Sequence, residues 1–316
     1  MKILLLKIFF FLFPVMILLY PVDCLVSHFL KKSNLFPGEI EVWNDIYSSN
    51  ANCDIAIYGS SRAWVQFDPA IIGDTLKKVV YNFGIDGHNF WLQYLRHKEL
   101  LRYNRKPSVI VLSVDEFTLE KRSQLYHPDQ FLPFMLYNDD IEKYTISYVG
   151  YQKLDYYIPL IRYMGQYHAL SLSIKAALNG STITKCRKLG YTGMDKEWNS
   201  DFENAKEVHK HYEAKIDRKS VELFEQFIDE CAAEGIKLIL VYAPEYIDGQ
   251  NYVINRKCIV DLYNSYAKKN NIIFLDYSND PICVNINLFY NATHMNIKGA
   301  TMFSVKFARD MKKLKL

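Results

Sequence analysis

The chain has 316 residues, of which 50% are apolar, 15% aromatic and 23% charged, with a formal net charge of +3. That length carries its own core without disulfide or metal staples, and its charged fraction and slightly negative mean hydropathy exclude wholesale disorder and a multi-span membrane protein. No basic stripe interleaved with aromatics and no glycine-rich phosphate loop occurs, so neither nucleic acid nor a nucleotide cofactor is expected.

The amino terminus comes first in chain order. Ile8 to Leu30 spans 23 residues, 18 of them apolar. At about 1.5 Å per helical residue this reaches across a hydrocarbon core roughly 30 Å thick. Lys2 and Lys7 precede it, and Lys31 and Lys32 follow. A cleaved signal peptide would use Ile8–Tyr20, but no small-x-small site follows, and Pro21-Val22-Asp23-Cys24 is a poor lipobox. An uncleaved signal anchor is the preferred reading, with Asp23 and His28 at headgroup level. The flanking lysines are balanced, so an extracytoplasmic place for the rest follows from signal-like character alone. The four lysines against Asp23 account for the whole net charge, which leaves the remaining chain neutral and without long-range pull on polyanions. The expected organisation is an anchor at 1–32, a linker and lead-in at 33–52, and one domain at 53–316.

Beyond the linker the pattern alternates strand and helix. Asp54–Tyr58 and Val79–Phe83 are short apolar runs ending near glycine, and Asn89–Arg105 is helical. Val109–Val114 is apolar on both faces, as a buried strand requires. Ser220–Gly235 reads as a helix with a glycine cap, Lys237–Tyr242 as a strand, Asn255–Lys269 as a helix and Ile272–Asp276 as a strand. Asn296 is a plausible N-cap for a last helix reaching Lys313. Five such units imply a three-layer α/β/α domain with a five-stranded parallel sheet. The stretch 117–216 breaks the rhythm and reads as a helical insertion over the sheet's carboxyl edge, with helices over Asp139–Ile146 and Lys153–Leu178. Its eight tyrosines between Tyr137 and Tyr167 either pack it down or line a groove for a sugar polymer or acyl chain. Six cysteines form no C-x-x-C pair. His209 and Glu213, four apart on a charged run, have an incidental metal look; a solvated helix face is preferred.

Three clusters fall just after strands, where open α/β sheets place their sites. Gly59-Ser60-Ser61-Arg62 sets a serine at a strand end, near main-chain N–H groups able to face an oxyanion. Asn82-Phe83-Gly84-Ile85-Asp86-Gly87-His88-Asn89 lets the backbone approach a ligand. Asn291-Ala292-Thr293-His294 puts a histidine in the loop before the last helix, where it can act as base. Arg62 is suited to an anionic substrate group or to an ion pair with Asp86 or Asp115, His88 is a lesser contact, and Trp64 is pocket wall or core.

In order and position these blocks resemble those of the SGNH (GDSL-like) hydrolases, over roughly Asp54 to Lys313 without the insertion. The resemblance implies that fold, Ser61 as nucleophile, His294 as base, Asn291 in the acid's place, the backbone of Ser61 and Gly87 as oxyanion hole, and Arg62 and Asn89 at the substrate. It is closest to the membrane-anchored branch linked with cell-envelope O-acylation, such as the alginate O-acetylation and teichoic-acid D-alanyl transfer proteins. That implies an acyl esterase or O-acyltransferase acting on envelope carbohydrate, without cofactor or metal, beside a multi-span membrane acyltransferase. Two departures stand out. Ser113-Val114-Asp115-Glu116 replaces a block whose asparagine donates to the oxyanion, and Asn291 replaces the aspartate that stabilises the imidazolium. In the serine-protease template such an amide costs about 10⁴ in kcat. A slow dyad, a substitute acid (Asp276 or Asp280), and a protein that binds glycan or scaffolds a partner without catalysis all remain open.

Overall fold

A computed structural model describes residues 2–87 and 89–314, without the side chains of residues 2–5, 8, 9, 12, 15 and 16. The first helices are α1 (Lys2–Leu30) and α2 (Glu39–Tyr47). Strand β1 (Ile55–Gly59) leads into α3 (Ser61–Gln66) and α4 (Pro69–Leu76), then β2 (Val80–Asn82), α5 (Phe90–Tyr103) and β3 (Val109–Val114). Four helices follow: α6 (Asp139–Thr145), α7 (Leu154–Tyr157), α8 (Tyr167–Asn179) and α9 (Asp201–Val208). The chain closes with α10 (Arg218–Ala233), β4 (Lys237–Tyr242), α11 (Ile247–Tyr252), α12 (Arg256–Lys269), β5 (Ile273–Asp276) and α13 (Ile297–Lys313).

The chain divides into two compact units, residues 1–44 with 123–186, and residues 45–122 with 187–316. The stretch expected as one insertion is therefore shared between the units, parting after Cys186. In the first unit, α1 packs on α8. Asp23 is not at a headgroup: it is buried and bound by both ends of the Arg162 guanidinium, at 2.7 and 2.8 Å. Leu160 N–H donates to the same carboxylate at 2.7 Å, and Ser173 Oγ donates to Val26 O at 3.0 Å. One side of the carboxyl end of α1 thus packs into this unit's interior, while large apolar side chains stay exposed along the helix from Phe10 and Phe11 to Val22 and Leu25. Among the described residues no helix is long and apolar enough to cross a membrane. The helix expected over Lys153–Leu178 is broken between α7 and α8. Pro159 holds Ile158 extended, and Leu160 has φ +68°.

The second unit is an α/β domain around a parallel sheet of order β2-β1-β3-β4-β5. The winding direction reverses between β1 and β3, and at such a switch point the loops part and leave a crevice at the carboxyl ends. Strands β1 and β3 are buried throughout, which their apolar runs require. Leu189 O accepts from Asn82 N at 2.9 Å and so caps the edge of β2. Helix α13 starts as expected, with the Asn296 side chain accepting from Gly299 N, and lays Phe303, Phe307 and Met311 into the core. Phe303 and Phe307 meet Phe67 edge-on at 5.1 and 5.2 Å, while Ser304 Oγ joins Asp68 N and Gln66 O. This ties the short α3 to the longest helix of the unit.

The turn from β1 into α3 is the tightest point. Gly59 has φ +150°, and a Cβ there would lie 2.6 Å from Ala63 Cβ and 2.9 Å from Ser113 Cβ. Only glycine lets the helix start one residue after the strand. Gly59→Ala is expected to cost about 3 kcal/mol or more, as strain plus overpacking. An unfolding free energy from denaturant titration within about 1 kcal/mol of wild type would contradict this account.

Candidate active site

The crevice at the β1/β3 switch point is a pocket of about 190 Å³. Ser61, Arg62, Gly87, Asn89, Thr293 and His294 line it, with Asp115, Phe117, Glu120 and Arg122. Of the expected residues, Asn291 stands just behind, and His88 lies outside the described residues.

Ser61 opens α3. Its preceding residue, Ser60, is the N-cap and is itself pinned by Asp115 Oδ2 at 2.6 Å. The Ser61 Oγ lies 2.7 Å from His294 Nε2. His294 comes from a tight loop closed by the pairing of Phe289 with Met295 and by Tyr290 N donating to His294 O at 3.1 Å. Gln66 Nε2, on α3, donates to Thr293 O at 3.1 Å and holds this loop beside the serine. The Tyr290 ring lies parallel to the imidazole, 5.4 Å away.

The Asn291 amide organises the loop. Its Oδ1 accepts from Thr293 N at 3.1 Å and His294 N at 2.9 Å, and lies 2.9 Å from His294 Nδ1. Two main-chain N–H groups can only donate, so the oxygen must face them. The proton of the ring therefore sits on Nδ1, shared with Thr293 Oγ1 at 3.0 Å. Nε2 is left with its lone pair toward Ser61, and the hydroxyl donates to it. The amide thus fixes the same tautomer that an aspartate would, without the charge. Removal from water, joined by the Arg62 cation, lowers the His294 pKa to about 4, while Asp201 acts to raise it and Lys196 to lower it. At neutral pH the imidazole is a neutral, weak base.

Gly87 has φ +67° and borders the pocket with Ser61. Asn89 precedes α5 without making a cap hydrogen bond to that helix. Asp115 is buried, and beyond Ser60 its carboxylate accepts from Phe117 N at 3.0 Å and Thr118 Oγ1 at 2.9 Å. It shapes the turn after β3 and offers no donor to an oxyanion.

Arg62 is placed differently from the substrate contact the resemblance implies. It is 2% exposed and bound to Glu116 Oε2 at 3.1 Å, Glu245 Oε2 at 3.6 Å and Ala243 O at 2.7 Å. Neither Asp86 nor Asp115 is its ion-pair partner here. Tyr242 Oη bonds both Glu116 and Glu245. One guanidinium cannot neutralise two buried carboxylates. Burial first, and then the neighbouring Glu116, push Glu245 well above the usual carboxylate range, so it holds a proton. Arg122, exposed, is the cation at the pocket that sequence reasoning did not single out. The proposed substitute acids also lie elsewhere: Asp276 accepts from Ser278 N, and Asp280 from Ile282 N and Lys306. Helix α9 stops at Val208, so His209 and Glu213 share no helical face. Trp64 packs beneath the Arg187 guanidinium, 4.5 Å away.

Arg62→Ala would leave two buried carboxyl groups without their cation. It is expected to lower folding stability by about 3–5 kcal/mol. Thermal and denaturant unfolding read this directly. A raised KM with unchanged stability would instead return Arg62 to the substrate.

Neither a protein-family model nor a curated protein sequence matches the chain. Solved structures do. A GDSL-like lipase from Bacteroides thetaiotaomicron is 13% identical, with 82% of this chain and 88% of that one covered, at a TM-score of 0.38. An acetyl xylan esterase is 14% identical, with 83% and 100% covered, at a TM-score of 0.40. The reading of the site rests on its own geometry.

Proposed function

We propose that the chain is an acyl esterase or O-acyltransferase of SGNH (GDSL-like) type that works through Ser61 and His294. The observation that carries this is the hydrogen-bonded series from Ser61 Oγ through the His294 ring to Asn291 Oδ1, at 2.7 and 2.9 Å, in a pocket at the sheet's switch point. Ser61 Oγ attacks the ester carbonyl and passes its proton to His294 Nε2. The oxyanion that forms is held by main-chain N–H groups of Ser61 and Gly87 at the wall of the pocket. His294 then returns the proton to the leaving alcohol, giving an acyl-serine. Water, or the hydroxyl of an acceptor, is deprotonated by His294 and releases the acyl group.

The pocket's small volume favours a short acyl group such as acetyl, and the neutrality of the chain after Lys32 favours an uncharged carbohydrate hydroxyl as its carrier. The amino-terminal sequence supports an anchor in the cell membrane, with the domain outside the cytoplasm. A multi-span membrane acyltransferase fits as the partner that delivers the acyl group. Asn291 supports a second reading, a protein that binds glycan or scaffolds such a partner without turnover.

A fluorophosphonate probe is expected to label wild type and to leave Ser61→Ala unlabelled. Equal absence of label from both proteins returns the binding reading. The base must be neutral to accept a proton, so kcat/KM is lost only as pH falls through the His294 pKa. The acid limb is therefore expected near pH 4, from a pKa of about 4, and a limb at 6.5 or above would mean that burial and Arg62 do not depress it.

A further inference from the structure

The Asn291 amide has a second end. Its Nδ2 donates to Asp201 Oδ2 at 3.4 Å. Asp201 is the first residue of α9, and it is fixed there by Asn199. Asn199 Nδ2 donates to the same carboxylate oxygen at 2.7 Å, and Asp201 N donates to Asn199 Oδ1 at 3.1 Å. The next residue, Phe202, is buried edge-on against Tyr252 at 5.7 Å and seats the start of α9. Asp201, Asn291 and Thr293 border one largely apolar pocket of about 170 Å³ with Phe117, Phe202 and Val253.

We infer that Asp201 supplies the acid of this site, acting on His294 through the Asn291 amide as a positioning residue. The inference rests on the Ser–His reading above. A carboxylate at Nδ2 polarises the amide and makes Oδ1 a stronger acceptor for the ring Nδ1–H. Its charge also stabilises the imidazolium that forms when Ser61 gives up its proton. No proton passes through the amide, and Asp201 stays ionised throughout. The charged groups acting on the ring are Arg62 from α3, Lys196 from the segment before α9, and Asp201. The phenol of Tyr290 covers its face. Of these charges the two cations disfavour imidazolium, and Asp201 is the anion that offsets them. The tautomer and the counter-charge, which one aspartate supplies in a Ser–His–Asp triad, are here divided between Asn291 and Asp201.

Two readouts test this. Proton NMR titration of the His294 ring needs no turnover, and Asp201→Asn is expected to lower the ring's pKa. With p-nitrophenyl acetate, Asp201→Asn is expected to lower kcat about two- to fivefold, since Asp201 is exposed and screened, with KM unchanged and the acid limb moved to lower pH. Asp201→Glu restores the charge and part of the rate. In an Asn291→Asp background the sign reverses. The two carboxylates then face each other, and adding Asp201→Asn relieves the repulsion and raises the rate above Asn291→Asp alone. An unmoved His294 titration, or the same loss from Asp201→Asn in both backgrounds, overturns the inference. Absence of turnover in every form overturns the Ser–His reading instead, while the titration still decides the coupling.

Discussion

The site depends on one oxygen atom. Asn291 Oδ1 gathers the main-chain N–H groups of Thr293 and His294 and faces the ring Nδ1. The first two contacts bend the loop, and the third sets the tautomer of the His294 ring. An aspartate there would do the same with a full charge. An amide does it with a dipole, so geometry is retained while electrostatic support for the imidazolium is given up. The two functions of a triad acid are separable in principle, and Asn291 keeps the orienting one without the charge.

A loop so arranged is useful only if the serine meets it, and that is decided at the opposite side of the crevice. Gly59 allows α3 to start directly after β1, Asp115 holds Ser60, and Gln66 at the far end of α3 grips Thr293 O. Arg62 roots the same short helix in a buried cluster with Glu116, Glu245 and Tyr242. A six-residue helix has little stability of its own. It is held here because its Arg62 and Gln66 side chains are tied to other elements.

Much of this was legible in the sequence, for identifiable reasons. Strands β1, β3 and β4 announce themselves because two-sided burial demands unbroken apolar runs. Helix α13 does so because its N-cap Asn296 and amphipathic face agree. Ser61, Gly87 and His294 could be placed because each follows a strand or precedes a helix at a sheet edge. What stayed hidden depends on contacts distant in sequence. Glu116 and Glu245 are 129 positions apart and meet at Arg62 and Tyr242, where the sequence offered Asp86 and Asp115 as partners instead. Asp201 reaches Asn291 across 90 positions, and no motif in the sequence joins the two. The break between α7 and α8 was written in Pro159, yet helical periodicity on both sides outweighed it.

The distribution of charge follows from these constraints. Near Ser61, full charges sit where the fold can compensate them: Arg62 against Glu116, with Glu245 pushed toward its protonated form, and Asp115 saturated by donors. An aspartate at the half-buried position 291 would bring a further anion into a loop that already lies beside Asp201. Placing the amide at the ring and the carboxylate one hydrogen bond farther out keeps the anion exposed, where its desolvation is small. The same displacement weakens its hold on the imidazolium, because the interaction crosses both greater distance and more water. The low His294 pKa and the exposed Asp201 carboxylate are thus two consequences of one arrangement, in which the cost of burying a charge beside the ring is avoided.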